Sequence, residues 1–212
     1  MQKRDAEKSK QRILAAAEQE LADKGFFGAR VDEIAAIAQI NKRMIYAYFG
    51  DKEKLYQQVL TRVYRRMEDV EWELVELRHT GRQLVQEIIS AYFDFLEHDP
   101  AFVNILMWEN LNQGRYLEEV ESSRIERGTI RYFVEELEAG RKNGIFREDI
   151  DPWHTAMSMI TTCFANFSNR HTLSKLFHAN LLDPEMIRQR KQHTIELMLA
   201  YLCQDIKEEI EQ

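Results

Sequence analysis

Two short apolar periods separated by three residues constrain this chain more than any other feature. Over Val31 to Ala38, the apolar residues Val31, Ile34, Ala35 and Ala38 fall at i, i+3, i+4 and i+7, the stripe of one helix face. That face needs a partner. Gln39-Ile40-Asn41 interrupts the period. Ile40 stays apolar to fill the gap between two helices, and the side-chain oxygen of Asn41 suits a free backbone N–H at the start of the next. That helix begins at Lys42, with Ile45 and Phe49 four residues apart and directed inward, and Met44 or Ala47 in part. Lys42, Arg43, Tyr46 and Tyr48 lie nearer the open side. Gly50-Asp51 ends it, and Asp51 caps a further helix with Glu53 in the first turn, where a carboxylate suits the positive end of the dipole.

The partner surface comes from upstream. A helix over about Ala6 to Asp23 carries Ile13, Leu14, Ala17 and Leu21 on one face and stops at Lys24-Gly25. Gly25-Phe26-Phe27-Gly28 follows as a turn with two aromatic plugs, one of which packs under the two-helix motif. The three helices make a helix-turn-helix unit. Downstream, a long helix of about Lys52 to Arg78 has Leu55, Val59, Val63, Met67, Val70, Leu74 and Leu77 as its apolar line. Further helices are expected at about Arg82 to Glu97, Ala101 to Asn112, Arg115 to Lys142, Trp153 to Arg170 and Pro184 to Glu209. A loop covers 140–152, and a connection over 172–183 includes at most a short turn. Only 8 Gly and 3 Pro in 212 residues fit such a chain of helices with short connections.

The run Val31 to Lys52 resembles the DNA-binding signature of the TetR family of one-component transcriptional regulators. Ile34-Ala35, Ala38, Ile40, Asn41, Ile45-Tyr46, Tyr48-Phe49, Lys52-Glu53 and Leu55 match or conservatively replace the family pattern. Val31 stands where a phosphate-contacting Thr is common, Gln39 where the turn usually has Gly, and Asn41 where Ser is frequent. Without that Gly, Gln39 must take a left-handed or strained turn. Without the Thr, capping falls to Arg30 or to backbone alone. Gly144 to Pro152 also resembles the G-x-F-R-x-D-x-D-P loop that precedes the eighth helix in many members. The resemblance implies an all-α protein. Residues 1–51 form the helix-turn-helix domain, and a long helix joins it to a helical effector-binding and dimerisation domain over 52–212. It further implies that Lys42, Arg43 and Tyr46 enter the major groove, while Asn41, Tyr48 and Lys52 meet phosphates. Helix packing is the competing reading for Tyr46 and Tyr48, and a solvated face for Lys42 and Arg43.

Charge supports the division. Residues 1–62 carry 12 Lys+Arg and 9 Asp+Glu, a balance of +3, whereas 63–212 carry 17 and 27, a balance of −10; together they give −7. A binding face needs local rather than net charge. The lysine-rich first ten residues read as a solvated tail or as an arm toward phosphates. No apolar run approaches the roughly 20 residues that span a bilayer, and the charged start has no apolar signal segment, so a cytoplasmic protein without membrane association is expected. Cys163 and Cys203 read as two thiols in apolar helical context. The six histidines show no metal spacing, and no nucleophile elbow, P-loop or dinucleotide fingerprint is present. No enzyme, metal or cofactor is expected.

Two wide stripes close the chain: Trp153, Ala156, Met157, Ile160, Cys163, Phe164 and Phe167, then Ile187, Lys191, Thr194, Ile195, Met198, Leu199, Leu202 and Ile206. By resemblance these helices pair with their twofold copies in a homodimer, which reads a pseudo-palindromic operator in double-stranded DNA. Packing within one chain is the alternative. Phe102, Met107, Trp108, Tyr116, Phe133, Met157, Phe164 and Asn166 are candidates for the pocket of a small, partly apolar effector, with ordinary core as the competing reading for each. A helical protein-binding adaptor that keeps a degenerate helix-turn-helix is the rival to a repressor released by its effector.

Overall fold

A computed structural model describes residues 2–117 and 129–203, and the elements among them are all helices. In chain order these are α1 (Gln2–Gly28), α2 (Val31–Ala38), α3 (Lys42–Phe49), α4 (Lys52–Leu77), α5 (Gly81–His98), α6 (Pro100–Leu111), α7 (Thr129–Lys142), α8 (Pro152–Ser168), α9 (Arg170–Leu176) and α10 (Pro184–Leu202). They fall into two compact units. The first is Met1–Met67 with Asp99–Glu126, the second Glu68–His98 with Arg127–Gln212.

In the first unit, Ile13, Ala16, Ala17 and Leu21 of α1 are buried with Ile34, Ala35 and Ala38 of α2 and Ile45 of α3. Burying one such branched side chain contributes about 1.5–3 kcal/mol. Leu55, Tyr56, Val59, Leu60 and Val63 of α4 are also buried. α1 breaks at Gly25, whose φ of 67° and ψ of 177° lie outside the helical region, and resumes to Gly28. The ring of Trp108 on α6 fills the space beside it, 2.6 Å from where a Cβ would stand. The indole N–H of Trp108 donates to the carbonyl of Ala22 at 3.2 Å. Glycine is therefore required at position 25 twice, for its dihedral angles and for its missing side chain. Phe26 packs against Tyr56 and Tyr116, with ring centroids 5.3 and 4.7 Å away, whereas Phe27 is 75% exposed. One of the two expected plugs thus seats, and it seats on α4 and the chain after α6.

Charged groups tie the same helices together. The Arg66 guanidinium of α4 donates to Glu18 of α1 at 2.8 and 3.1 Å and to Asp99 at 2.7 Å. Asp99 also caps α6 by accepting from the Phe102 N–H at 3.0 Å, and Pro100 follows at the first helical position, where no N–H is needed.

The second unit is built on α5, whose Leu84, Val85, Ile88, Ile89, Tyr92, Phe93 and Leu96 are buried. α5 packs against α8 and α10, which contribute Met159, Cys163 and Phe167, and Ile187, Ile195, Met198 and Leu202. The Tyr92 hydroxyl donates to the buried carboxylate of Glu71 at 2.5 Å, so the polar pair carried inside is matched. Asp151 and Asp183 cap α8 and α10 through their side chains, each followed by proline. Gly140 of α7 lies under the Phe146 ring, which would stand 2.3 Å from an added Cβ. The loop is fixed further by the Arg147 N–H, which donates to the Leu202 carbonyl at 2.8 Å.

The compact units divide at Met67–Glu68 and His98–Asp99, whereas the sequence puts the division at 51 and 52. The cause is that Leu55, Tyr56, Val59, Leu60 and Val63 in the first turns of α4 are buried within the first unit, and α6 packs on α1. The helix expected over Arg115 to Lys142 opens with turns through 112–117 and is described again as α7; residues 118–128 lie outside the described ones. The connection over 172–183 contains α9, and the expected end of the last helix beyond 203, with Ile206, also lies outside.

Gly25→Ala combines a strained backbone with overpacking against Trp108 and is expected to cost about 2–5 kcal/mol in urea unfolding. Combined with Trp108→Leu, the same substitution should cost measurably less. A loss below about 1 kcal/mol in the single variant would contradict the packing at this joint.

Candidate nucleic-acid interface

The interface is built on the turn between α2 and α3. Gln39 ends α2 at φ 52° and ψ 48°, the left-handed conformation that its place in the turn requires of a non-glycine residue. The Arg12 guanidinium of α1 donates to the carbonyls of Ala38 at 2.5 Å and Gln39 at 3.3 Å. It thereby holds the negative end of the α2 dipole. At the other end of α2, Arg30 is extended and supplies no side-chain cap, so capping there is left to backbone, with Glu33 and Ile34 N–H donating to the Arg30 carbonyl at 3.0 Å. Lys24 bridges Glu20 of α1 and Glu33 of α2 at 2.8 and 2.5 Å, and its hydrogen bond to Glu20 raises its pKa above the ordinary lysine value.

α3 is then fixed at both ends. The Asn41 side chain accepts from the Arg43 N–H at 2.9 Å, and Gly50, at φ 85°, closes the helix with its N–H on the Tyr46 carbonyl at 2.8 Å. Asp51 accepts from the Lys54 N–H at 2.8 Å, which starts α4. Ile45, 1% exposed, is the anchor that sets which face of α3 is turned out. Opposite it, Arg43, Tyr46 and Ala47 are exposed.

The six expected contact residues are placed in five different ways. Arg43 and Tyr46 are outward, and the Arg43 guanidinium makes no ion pair among the described residues. Lys42 is half exposed and pairs with Asp32 of α2 at 2.8 Å, a hydrogen bond that raises its pKa. Asn41 uses its oxygen as a cap, leaving its NH2 group free to donate outward. Tyr48 lies at the edge, with the Lys10 ammonium 5.9 Å above its ring. Lys52 turns back over the Phe26 ring at 4.7 Å, where partial burial lowers its pKa.

Beside this face runs a groove of about 650 Å³ lined by Lys10, Lys54, Arg62 and Arg65 together with Tyr48 and Glu7, among others. The sequence reading left out Lys54, Arg62 and Arg65. Their signal was available: they sit at intervals of eight and three along α4, Lys54 and Arg65 opposite its apolar line and Arg62 at its edge. Arg12 was missed because its partners are carbonyls far along the chain.

The eight pocket candidates are divided between the two units. Phe102, Trp108 and Tyr116 are packing residues of the first unit: Phe102 meets Tyr64 at 6.0 Å, Trp108 fills the space at Gly25, and Tyr116 stands on Phe26 and Tyr56. Met107, also there, is 39% exposed. In the second unit Phe133 is core, Met157 is 48% exposed and Phe164 half-buried. Asn166, 7% exposed, lines a separate cavity of about 620 Å³.

Residues 13–59 match the family model described as bacterial regulatory proteins, tetR family, and residues 82–198 match the one described as tetracyclin repressor-like, C-terminal domain. The HTH-type transcriptional repressor NicS of Pseudomonas putida is 34% identical over 181 residues, covering 85% of each chain. Among solved structures, the ketosteroid transcriptional regulator KstR2 of Mycobacterium tuberculosis superposes with a TM-score of 0.71 at 20% identity, covering 92% of this chain and 95% of that one. The regulator FadR of Bacillus subtilis, solved in complex with stearoyl-CoA, gives 0.68 at 18%, covering 90% and 98%. At these identities the structural likeness establishes the fold.

Asn41→Ala should lower stability by about 1 kcal/mol through the lost cap. Arg12→Ala should lower it by about 1–3 kcal/mol and increase amide hydrogen exchange at 39–45. Unchanged exchange there in Arg12→Ala would remove the guanidinium from its place as the clamp on α2.

Proposed function

The chain belongs to the tetR family of bacterial regulatory proteins and is a DNA-binding transcriptional regulator; on that premise we propose that it represses from a pseudo-palindromic operator and is released by a small, partly apolar effector. The observation that carries this reading is the exposed Arg43 guanidinium, without an ion pair among the described residues, on a helix whose opposite face is held by Ile45. Arginine at the start of a recognition helix reads guanine by two parallel hydrogen bonds. Arg43 and Tyr46 then meet base edges. Lys42 joins them by exchanging Asp32 for DNA.

Phosphates fall to the NH2 group of Asn41, to Tyr48 and to Lys52, whose ammonium moves from the Phe26 ring to the anion. The basic groove beside Tyr48 extends that footprint along α4. Repression is the role named for the similar NicS, and action on DNA supports a cytoplasmic location for this chain.

A palindromic operator requires two copies. Trp153 and Met157 on α8, and Leu197 and Tyr201 on α10, are exposed apolar or aromatic pairs spaced four apart, so each helix presents a stripe to a second copy. FadR holds stearoyl-CoA and KstR2 is named a ketosteroid regulator, which supports a partly apolar effector here. The effector acts by favouring an arrangement of the two heads that departs from the about 34–36 Å spacing of half-sites one DNA turn apart. α4, continuous from Lys52 to Leu77, is the path for that change.

Full-length protein titrated by fluorescence anisotropy against DNA selected from a random pool tests the reading. Binding should fall by about a thousandfold or more between 50 and 200 mM salt if six or more phosphates are neutralised. Lys42→Ala with Arg43→Ala should weaken binding by about 2–4 kcal/mol, the larger share from Arg43. Salt-independent or unselective binding would favour the adaptor. Trp153→Asp with Leu197→Asp should convert dimers to monomers in light scattering and reduce the operator footprint to one half-site; dimers that persist would place the contact elsewhere.

A further inference from the structure

Beside the outward residues of α3 stands a carboxylate. Asp32 lies in the first turn of α2, off the buried stripe of Val31, Ile34, Ala35 and Ala38, and its Oδ1 accepts from the Lys42 ammonium at 2.8 Å. The Asp32 side chain is 59% exposed and that of Lys42 43%. A pair so open to water adds little to stability.

Neighbouring carboxylates of the same unit fix helices to one another. Glu33 and Glu20 are held together by Lys24, which joins α2 to α1, and Asp51 starts α4 by accepting from the Lys54 N–H. Asp32 is placed differently, against the first residue of α3. Its hydrogen bond holds the Lys42 pKa above the ordinary lysine value, and the charges of Tyr46 and Arg30 act on the same ammonium. Lys42 and Tyr46 are four residues apart on one face of α3, and Tyr46 is exposed. The carboxylate is therefore part of the edge that holds the outward phenol.

On such an edge a carboxylate repels phosphates and is favourable only where it meets a donor. In the major groove aspartate takes the N4 amine of cytosine, and lysine takes O6 and N7 of guanine. These two bases form one pair. The guanine O6 and cytosine N4 are themselves hydrogen-bonded at about 2.9 Å, close to the 2.8 Å between Lys42 Nζ and Asp32 Oδ1. The two side chains then need only turn from one another to the two halves of a G·C pair.

We propose that Asp32 is a specificity-determining residue for DNA: it holds Lys42 in the free protein and, on the operator, accepts from a cytosine N4 amine whose guanine partner takes Lys42. On DNA without that pair Asp32 keeps Lys42 and repels the backbone. Nonspecific affinity is thereby held down. This rests on the reading of α3 above as the helix that enters the major groove and adds to it a residue from α2.

Selection from a random DNA pool, followed by anisotropy titration of full-length protein, tests it with Asp32→Asn, Asp32→Ala and Arg43→Ala. The unaltered protein should select a G·C pair at one position of each half-site. Asp32→Asn keeps the size and removes the charge, and because an asparagine amide pairs with adenine it should change the choice there from cytosine to adenine. Asp32→Ala should leave no preference at that position. Both Asp32 variants should bind random DNA about threefold or more tightly, with a salt slope steeper by about one because Lys42 becomes free for a phosphate. The ratio of operator to random affinity should fall about tenfold or more. Circular dichroism of each variant establishes that it is folded.

An Asp32→Asn variant that selects the same sequence as the unaltered protein, with operator and random affinities changed by one common factor, would overturn the proposal. The pair would then be a surface contact between two helices. Arg43→Ala separates the two levels. Weakened operator binding in Arg43→Ala beside unaltered selection in Asp32→Asn removes the role of Asp32 and leaves α3 as the reading helix. Unaltered selection and affinity in both removes the reading of α3 and the proposal with it.

Discussion

The C-terminus of α2 is the constraint on which the outward face of α3 depends. The chain turns there through a left-handed residue, Gln39, at φ 52°. For a residue with a side chain this conformation costs about 1–2 kcal/mol. The guanidinium of Arg12, on the carbonyls of Ala38 and Gln39, contributes a charge-assisted interaction of about 1.5–3 kcal/mol, and the Asn41 cap adds about 1 kcal/mol. The balance favours the turn without glycine. With α2 ended and α3 begun in this way, Ile45 goes inward, and Arg43 and Tyr46 are left outside.

The same unit concentrates its remaining polar groups where they fix helices to one another. Arg66 joins Glu18 and Asp99, and Asp99 in turn starts α6. Around these contacts the unit keeps an excess of positive charge on its outer groove, while the acidic remainder of the chain limits nonspecific attraction to DNA. Local charge and net charge thus serve different ends in one molecule.

Much of this was legible in the sequence because it is local. The period of Val31, Ile34, Ala35 and Ala38, the Asn41 cap, the left-handed Gln39 and the proline-led starts of α8 and α10 each follow from residues within one or two turns. What was not legible joins distant residues. Arg12 meets Ala38 across 26 positions and Trp108 meets Ala22 across 86, and nothing in the spacing of either announces its partner. The division between units was hidden for a related reason: the apolar line of α4 continues past Met67 without a change of pattern. The pocket candidates were chosen for size and apolarity, properties that a core residue such as Phe133 shares with a ligand-lining one. Asn166 differs from the rest in being a buried polar group whose Nδ2 has no hydrogen-bond partner among the described residues.

That α3 is the element that reads DNA is tested most directly by hydrogen exchange of the full-length protein, measured by mass spectrometry with and without DNA selected from a random pool. Slowed exchange concentrated in 31–50, with the first turn of α3 among the most protected amides, is the expected result. Protection that spares 39–49 and appears elsewhere on the chain would contradict the assignment of α3 as the recognition helix.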